Sequence, residues 1–263
     1  TFRIVCLGDS VTFGYRVPPV WPERPKDFNP EWQPYPMLLE KELRKANPNR
    51  SIEVFPMAVP GYTSHQGLAW LRRDIGYLQP DMVIASFGWN DASLSDVPDR
   101  EAIDTRWSPV TIRWLVDHSQ AFAHATRWLR SRNDVKPVVG TPVPRVSQQE
   151  YVENFKAIVQ LAKDHGAAVI VIGAPYRDSV TNPPEAQLMT QYRAWLKSEM
   201  QQSQTPYLEI LELTEAAGSV NQGFFGELIH PNHMGHRLMA SELFEFMTER
   251  RLLGDLKVPV FVP

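Results

Sequence analysis

Residues 2–14 read FRIVCLGDSVTFG. The apolar run Ile4–Leu7 is short and contains β-branched residues, which predicts a buried β-strand over Phe2–Leu7. The chain's single cysteine, Cys6, lies inside this run and is expected to be an inert core thiol. Gly8 permits a tight turn at the end of the strand, and Ser10 follows almost directly. Because ligands of parallel sheets bind at the carboxyl ends of the strands, we expect the Ser10 hydroxyl in a ligand crevice.

Apolar runs of this kind alternate with helical patterns along the chain. The five predicted strands are Phe2–Leu7, Ile52–Met57, Met82–Phe87, Ala168–Gly173 and Tyr207–Leu211. The predicted helices are Tyr35–Ala46, Ser64–Tyr77, Pro109–Arg132, Glu150–His165, Pro184–Gln202 and His236–Leu252. This alternation is typical of a parallel sheet whose crossover helices cover both faces. We therefore predict an α/β fold with a doubly wound parallel sheet.

The fourth predicted helix has recognisable ends. Ser147 precedes it as a candidate N-cap, and Glu150, three residues later, completes the pattern of a capping box. Gly166 follows the last turn as a C-terminal stop. The chain then enters the strand at Ala168 directly, as expected of a helix-to-strand unit in such a sheet.

The composition excludes several classes of protein. Hydrophobic residues make up 43% of the 263 residues, which is enough to bury a core, and we expect residues 1–263 to form one domain. Lys and Arg number 27 against 30 Asp and Glu, without long blocks of either sign, so no nucleic-acid partner is expected. Apolar runs such as Ala167–Ala174 are much shorter than the roughly 20 residues that span a bilayer, so no transmembrane segment is predicted.

Two irregular segments interrupt the alternation, at about residues 16–36 and 92–108. Both exceed ordinary connections, and long loops in compact domains commonly carry function. The first holds seven prolines together with Trp21 and Trp32, and it follows the turn that carries Ser10. We therefore expect an ordered lid with both tryptophans at the substrate rim, where aromatic rings suit either sugars or acyl chains. The alternative is that they cover an apolar edge of the domain.

Three further stretches follow predicted strands or precede the last helix. They are Ala58–Ser64, Gly88–Asp91 and Glu227–Asn232. Together with Gly8–Ser10, in this order and setting, they resemble the sequence blocks of the SGNH hydrolase superfamily, also called the GDSL lipases and esterases. The resemblance covers nearly the whole chain. It implies a three-layer α/β/α sandwich with a five-stranded parallel, flavodoxin-like sheet.

The resemblance also implies roles for particular residues. Ser10 would be the nucleophile and His230 the base that removes its proton, which agrees with the need to activate a weakly nucleophilic hydroxyl. The oxyanion hole would consist of the backbone N–H groups of Ser10 and Gly61 and the side chain of Asn90. Where the family usually has Asp three residues before the histidine, this chain has Glu227. We expect Glu227 to orient His230; the alternative is a Ser-His dyad whose imidazole is oriented by a backbone carbonyl.

A metal site is the competing interpretation of the histidines near the end of the chain. His230, His233 and His236 are closely spaced. Pro231 and Asn232 are expected to break the helix that would align them, and no Cys or paired carboxylate joins them. We therefore predict neither a metal nor a cofactor.

The function implied by the resemblance is a serine esterase that acts on a small-molecule or polysaccharide ester through an acyl-enzyme. The alternatives are an O-acyltransferase with the same acyl-enzyme, and a catalytically silent domain that binds carbohydrate or acyl groups. Thr1 opens almost directly onto the first strand, so any targeting segment is expected to be cut away or never present. Many relatives are exported, which favours an exported or periplasmic location. The sequence sets neither the compartment nor the oligomeric state.

Overall fold

The computed structural model describes residues 1–15, 17, 32–104, 141–175, 184–210, 221–225 and 229–254. The strands in these ranges are β1 (Phe2–Gly8), β2 (Ile52–Ala58), β3 (Met82–Ser86), β4 (Leu94–Ser95), β5 (Val143–Pro144), β6 (Ala168–Gly173) and β7 (Tyr207–Glu209). The helices are α1 (Ser10–Phe13), α2 (Tyr35–Ala46), α3 (Ser64–Leu78), α4 (Trp89–Ala92), α5 (Asp99–Asp104), α6 (Gln148–Asp164), α7 (Pro184–Gln202), α8 (Asn221–Phe224) and α9 (His233–Glu249).

Five strands form one parallel sheet in the order β2-β1-β3-β6-β7. This is the strand order of a flavodoxin-like sheet, whose ligand crevice lies beside β1 and β3, where the direction of winding reverses. Gly8 of β1 pairs with Ala58 of β2 and with Ser86 of β3. Three strands therefore end at the same level, and the loops that follow them meet at one edge of the sheet.

Helices cover both faces of the sheet, and the side chains of β1 show the division. Ile4 and Cys6 pack into a core with residues of α2 and α9, whereas Val5 and Leu7 pack into a core with residues of α3, α6 and α7. All four side chains are fully buried. Burial on both faces explains why residues 4–7 of this strand are an uninterrupted apolar run. The predicted three-layer α/β/α sandwich and its five-stranded parallel sheet are confirmed.

The ends of α6 agree with the sequence in part. The Ser147 side chain accepts the Glu150 N–H, and Gly166 has a φ of +77°, both as predicted. The capping box is not completed, because the Glu150 carboxylate lies 3.0 Å from His65 Nδ1 instead. A long-range partner thus overrides a local pattern.

The last helix begins earlier than predicted. The Asn232 side chain accepts the N–H groups of Met234 and Gly235 and caps α9 at its first turn. Pro231 and Asn232 thus keep His230 off the helix, as predicted, whereas His233 and His236 both lie on it.

The second predicted loop contains regular structure. Both β4 and α5 lie within residues 92–104, and β4 pairs antiparallel with β5. Residues 105–108, the predicted helix Pro109–Arg132 and most of the segment at 16–36 lie outside the described residues. In the ranges that the structure describes, no helix carries an apolar stretch long enough to cross a membrane.

Candidate active site

Ser10 occupies the first position of α1, directly after the end of β1. Its Oγ lies 2.8 Å from Nε2 of His230, which precedes α9 by three residues. Both residues are nearly buried, with 7% and 8% of their surfaces exposed. The Tyr15 ring lies 4.8 Å from the His230 ring. A hydroxyl in hydrogen-bond contact with an imidazole, largely withdrawn from water, is arranged for proton transfer.

The turn between β1 and α1 is fixed by close packing and by a helix cap. A Cβ atom at Gly8 would lie 2.1 Å from Thr12 Oγ1 and 2.9 Å from the Ser86 carbonyl oxygen, so this position needs glycine. Asp9 caps α1, because its carboxylate accepts the Val11 N–H at 3.0 Å. The direction of the α1 backbone is thereby tied to β1 and β3.

The loop after β2 contributes the backbone N–H of Gly61 to the site. The Tyr62 N–H donates to the Val59 carbonyl oxygen at 3.1 Å, with Pro60 and Gly61 at the centre of the turn. Gly61 has a φ of +85°, as a type II turn requires at its third position. Within the described residues, the N–H groups of Gly61 and Ser10 donate to no protein acceptor. Unpaired donors on loops that follow adjacent strands can bind a developing oxyanion.

Asn90, in α4, links the loops that follow three strands. Its Nδ2 lies 3.0 Å from the Tyr62 carbonyl oxygen and 3.3 Å from Asp9 Oδ2, and it donates to both. Burial raises the pKa of Asp9 to about 6, although the Val11 N–H and the Asn90 amide oppose the shift. The amide of Asn90 is therefore held between a backbone carbonyl and a buried carboxyl group.

Asp91 anchors the start of α3. Its Oδ1 accepts both the backbone N–H of Ser64, at 2.9 Å, and the Ser64 hydroxyl, at 2.5 Å. Asn154 of α6 in turn donates to the Ser64 hydroxyl at 3.0 Å. Burial raises the pKa of Asp91 to about 8. Asp9 therefore holds local backbone, whereas Asp91 ties α4 to the start of α3.

A second buried polar layer lies on the opposite face of the sheet. His236, fully buried, accepts the Tyr35 N–H at its Nδ1, so its neutral form carries the proton on Nε2. The Tyr35 hydroxyl contacts Thr12 Oγ1 at 3.1 Å. Burial, with a smaller contribution from the charge of His230, lowers the pKa of His236 to about 3. This layer joins α1, α2 and α9 behind Ser10.

The structure describes only some of the residues that the sequence singles out. Glu227 and Trp21 lie outside the described residues. The Trp32 ring stacks on His233 at 4.0 Å between ring centres, with 9° between the planes. Trp32 thus lies against the first turn of α9, and that turn begins three residues after His230. Among the described residues, no group of three or more His, Cys, Asp or Glu is arranged to hold a metal ion.

Arg145 is a polar residue near the site that sequence reasoning missed. It follows β5, and its guanidinium makes a two-point contact with the Asp99 carboxylate and donates to the Gly61 carbonyl oxygen. The two charged residues are 46 positions apart and lie outside the predicted strands and helices. No periodicity or motif links them, so only the fold could bring them together.

Comparison with protein-family models matches residues 6–238 to the GDSL-like lipase/acylhydrolase family. The match covers most of the 263 residues and includes the loops that carry Ser10, Gly61, Asn90 and His230. The chain therefore belongs to this family and is an ester hydrolase. No curated protein sequence matches the chain significantly.

Solved structures show the same fold at low sequence identity. The lipase/acylhydrolase from Enterococcus faecalis is 17% identical, with a TM-score of 0.61 over 95% of this chain and 97% of that one. Axe2, an acetylxylan esterase from Geobacillus stearothermophilus, is 16% identical, with a TM-score of 0.61 over 94% of each chain. LAE5, an α/β hydrolase enzyme from the metagenome of Lake Arreo, Spain, is 17% identical, with a TM-score of 0.61 over 93% of this chain and 94% of that one.

Proposed function

We propose that this member of the GDSL-like lipase/acylhydrolase family hydrolyses carboxylic esters through an acyl-enzyme on Ser10. The observation that carries the proposal is the 2.8 Å contact between Ser10 Oγ and His230 Nε2, at the switch point of the sheet. A serine hydroxyl is a weak nucleophile at neutral pH, and a hydrogen-bonded imidazole is the usual means of activating it. We further infer that residues 1–263 form one domain, because the family match spans residues 6–238.

The reaction would proceed in two acyl transfers. Ser10 Oγ attacks the ester carbonyl carbon while its proton moves to His230 Nε2, which gives a tetrahedral oxyanion. The C–O bond to the alcohol then breaks, the alcohol oxygen takes the proton from His230, and the acyl group remains on Ser10. Water next attacks the acyl carbon and gives its proton to His230. Collapse of the second tetrahedral intermediate releases the acid and returns the proton to Ser10.

Three donors would stabilise the oxyanion: the N–H groups of Ser10 and Gly61, and the amide of Asn90. The two N–H groups have no competing protein acceptor within the described residues. Asn90 would keep its 3.0 Å bond to Tyr62 and turn its second hydrogen from Asp9 toward the oxyanion. The contact with Asp9, at 3.3 Å, is the longer one and the easier to give up.

Glu227 would complete the triad by orienting His230 through its second ring nitrogen. Structures of Axe2 include catalytic mutants in which a serine, an aspartate or a histidine is replaced, and the last two lie three positions apart in that chain. Glu227 and His230 have the same separation here. A glutamate carries the same charge one methylene farther from the backbone and serves in other hydrolase triads.

The substrate class that we propose is an ester of a short acyl group on carbohydrate. Similar chains are described as acetylxylan and acetyl-xylooligosaccharide esterases. The aromatic side chain of Trp32, stacked against the first turn of α9, provides a flat surface of the kind that sugar rings contact.

The test combines substrate profiling with active-site labelling. The parent should hydrolyse nitrophenyl acetate and release acetate from acetylated xylan, and a fluorophosphonate should label Ser10, as located by mass spectrometry. Ser10→Ala should lose both activities and the label. Ser51→Ala, at the exposed opposite end of the sheet, is the matched control and should keep them. Labelling of another serine would contradict the proposal, and transfer of acetyl to a sugar acceptor would instead identify a transferase.

A further inference from the structure

We propose that Arg145 and Asp99 form a positioning pair that fixes the Gly61 turn for oxyanion binding. The inference rests on the proposed function, because it assigns these residues a role only through the Gly61 N–H. Neither residue belongs to the four sequence blocks around Ser10, Gly61, Asn90 and His230.

The contacts of Arg145 converge on one turn. Its Nε and Nη2 lie 3.0 and 3.1 Å from the two Asp99 oxygens, a two-point ion pair, while Nη1 donates to the Gly61 carbonyl oxygen at 2.9 Å. Asp99 Oδ2 also accepts the Thr63 hydroxyl at 2.7 Å. The pair therefore binds the turn on both sides of Tyr62, through the Gly61 carbonyl oxygen before it and the Thr63 hydroxyl after it.

The pair is itself fixed by backbone bonds. The Asp99 N–H donates to the Arg145 carbonyl oxygen at 2.7 Å, and the Arg145 N–H donates to the Ser93 carbonyl oxygen at 2.9 Å. The two side chains are largely withdrawn from solvent, with 24% and 12% exposed. A planar guanidinium held in this way keeps its Nη1 donor in a fixed direction, which a flexible lysine ammonium cannot do.

The Gly61 turn depends on such contacts because packing does not hold it. Nothing lies within 4 Å of the position that a Cβ atom would take at Gly61. The residue is exposed, and glycine has the widest conformational freedom of any residue. Rotation of the peptide planes on either side of its Cα would swing the N–H away from the oxyanion. A hydrogen bond to its carbonyl oxygen restricts that rotation and so preorganises the donor.

The experiment compares kcat and KM for nitrophenyl acetate in the parent and in Arg145→Ala, Arg145→Lys and Asp99→Asn. Loss of an oxyanion donor costs about 100- to 1000-fold in kcat, and loss of its alignment should cost part of that, about 10- to 100-fold, with KM changed less than about threefold. Added guanidinium should restore kcat of Arg145→Ala at least fivefold but not kcat of Arg145→Lys. A purely structural role would not give a selective rescue.

Arg3→Ala is the matched control, since Arg3 pairs with Glu53 at the opposite end of the sheet. It should keep parental kcat and show no response to guanidinium. Melting temperatures of all variants separate misalignment from unfolding. If Arg145→Ala is unfolded at the assay temperature, Arg145→Lys and Asp99→Asn carry the test with the same expected split between kcat and KM.

Two outcomes separate the inference from its premise. If Ser10→Ala is inactive but the folded Arg145 and Asp99 variants keep parental kcat, the positioning role is overturned and the proposed mechanism survives. If Ser10→Ala keeps parental activity, the acyl-enzyme mechanism and the positioning role are overturned together. A fall in kcat that only tracks the melting temperature, without rescue by guanidinium, also overturns the positioning role.

Discussion

The two ends of β1 differ in what surrounds their polar side chains. At the amino end, Arg3 contacts Glu53 with about 40% of both side chains exposed, and its N–H donates to the Asp81 carboxylate. At the carboxyl end, Asp9 and Ser10 are at least nine-tenths buried, and the nearby Asp91 is fully buried. Polar groups at the first end can exchange protein partners for water, whereas those at the second end cannot.

This difference predicts where substitutions matter. An exposed ion pair contributes about 0 to 1 kcal/mol, because water and salt compensate for its loss. When a buried polar group loses its partner, the free energy of unfolding falls by about 1–3 kcal/mol. When a catalytic oxyanion donor is removed, the activation free energy rises by about 3 kcal/mol. Matched substitutions at the two ends of the sheet therefore test whether buried polar residues at the carboxyl end affect activity more than exposed ones at the amino end.

The largest effect is expected from Glu227→Gln. An uncharged side chain cannot stabilise the imidazolium that forms in the transition state, so kcat should fall about 1000- to 10000-fold with little change in KM. Glu53→Gln, the same change at the amino end, should leave both parameters within about twofold of the parent. Steady-state kinetics with nitrophenyl acetate measures both variants. A Glu227→Gln enzyme with parental kcat would mean that a backbone carbonyl orients His230 in a Ser-His dyad.

Asn90→Ala should have the next largest effect. Removing one oxyanion donor lowers kcat about 100-fold, which corresponds to about 3 kcal/mol of activation free energy, while KM changes little. Asn49→Ala, on the exposed amino side of β2, serves as the control and should match the parent. If kcat of Asn90→Ala stays within threefold of the parent, the amide serves only to link Tyr62 and Asp9.

The same contrast explains what the sequence could predict. The strand that ends at Gly8 and the position of Ser10 follow from local pattern, because an apolar run predicts the strand and the glycine directly after it predicts the turn. The blocks around Gly61, Asn90 and His230 could be located because they resemble a known family. The Arg145 and Asp99 pair could not, since two charged residues outside the predicted strands and helices carry no periodic signal.

Local rules also fail where a residue has more than one way to pair. Glu150 fits a capping box with Ser147 but instead lies beside His65 of α3. Asn232 lies outside α9, as expected, but the helix begins directly after it at His233 and not at His236, because a residue that disfavours helix interiors is favoured as an N-cap. Burial of His236 against Tyr35 is equally invisible in sequence, because the two lie 201 positions apart.

A smaller effect concerns pH and stability. The pKa of His236 is lowered to about 3 in the folded protein, against about 6.5 in an unfolded chain, so protonation favours unfolding. The stability that this group provides is present above pH 6.5 and is lost as pH falls toward 3. Raised pKa values at Asp9 and Asp91 have the opposite sign: their contribution is present below pH 3.8 and is lost as pH rises through about 6 and about 8.

His236→Gln isolates the histidine contribution to that pH dependence. Between pH 7 and pH 5, the parent should lose about 2 kcal/mol of unfolding free energy that the variant does not lose, as measured by urea denaturation at both values. Comparing the change with pH, rather than the absolute stability, removes any cost of repacking the site. Parallel pH profiles in parent and variant would mean that His236 gains access to water or a proton without unfolding.

The smallest effect on activity is expected from a substitution of Trp32, which lies against the first turn of α9. Its ring is only partly buried and stacks on His233, so substitution should disturb substrate contact more than the core. Trp32→Ala should lower kcat/KM for acetylated xylan or bulky esters about tenfold, because an aromatic ring supplies a large contact area at small entropic cost. For nitrophenyl acetate, which is too small to extend to the rim, kcat/KM should change less than twofold. His233→Ala is the companion variant, because it removes the support of the ring but leaves the ring in place, and it should give a weaker version of the same selectivity change. If activity on both substrate classes falls together with the melting temperature, Trp32 is a packing residue and the rim hypothesis is wrong.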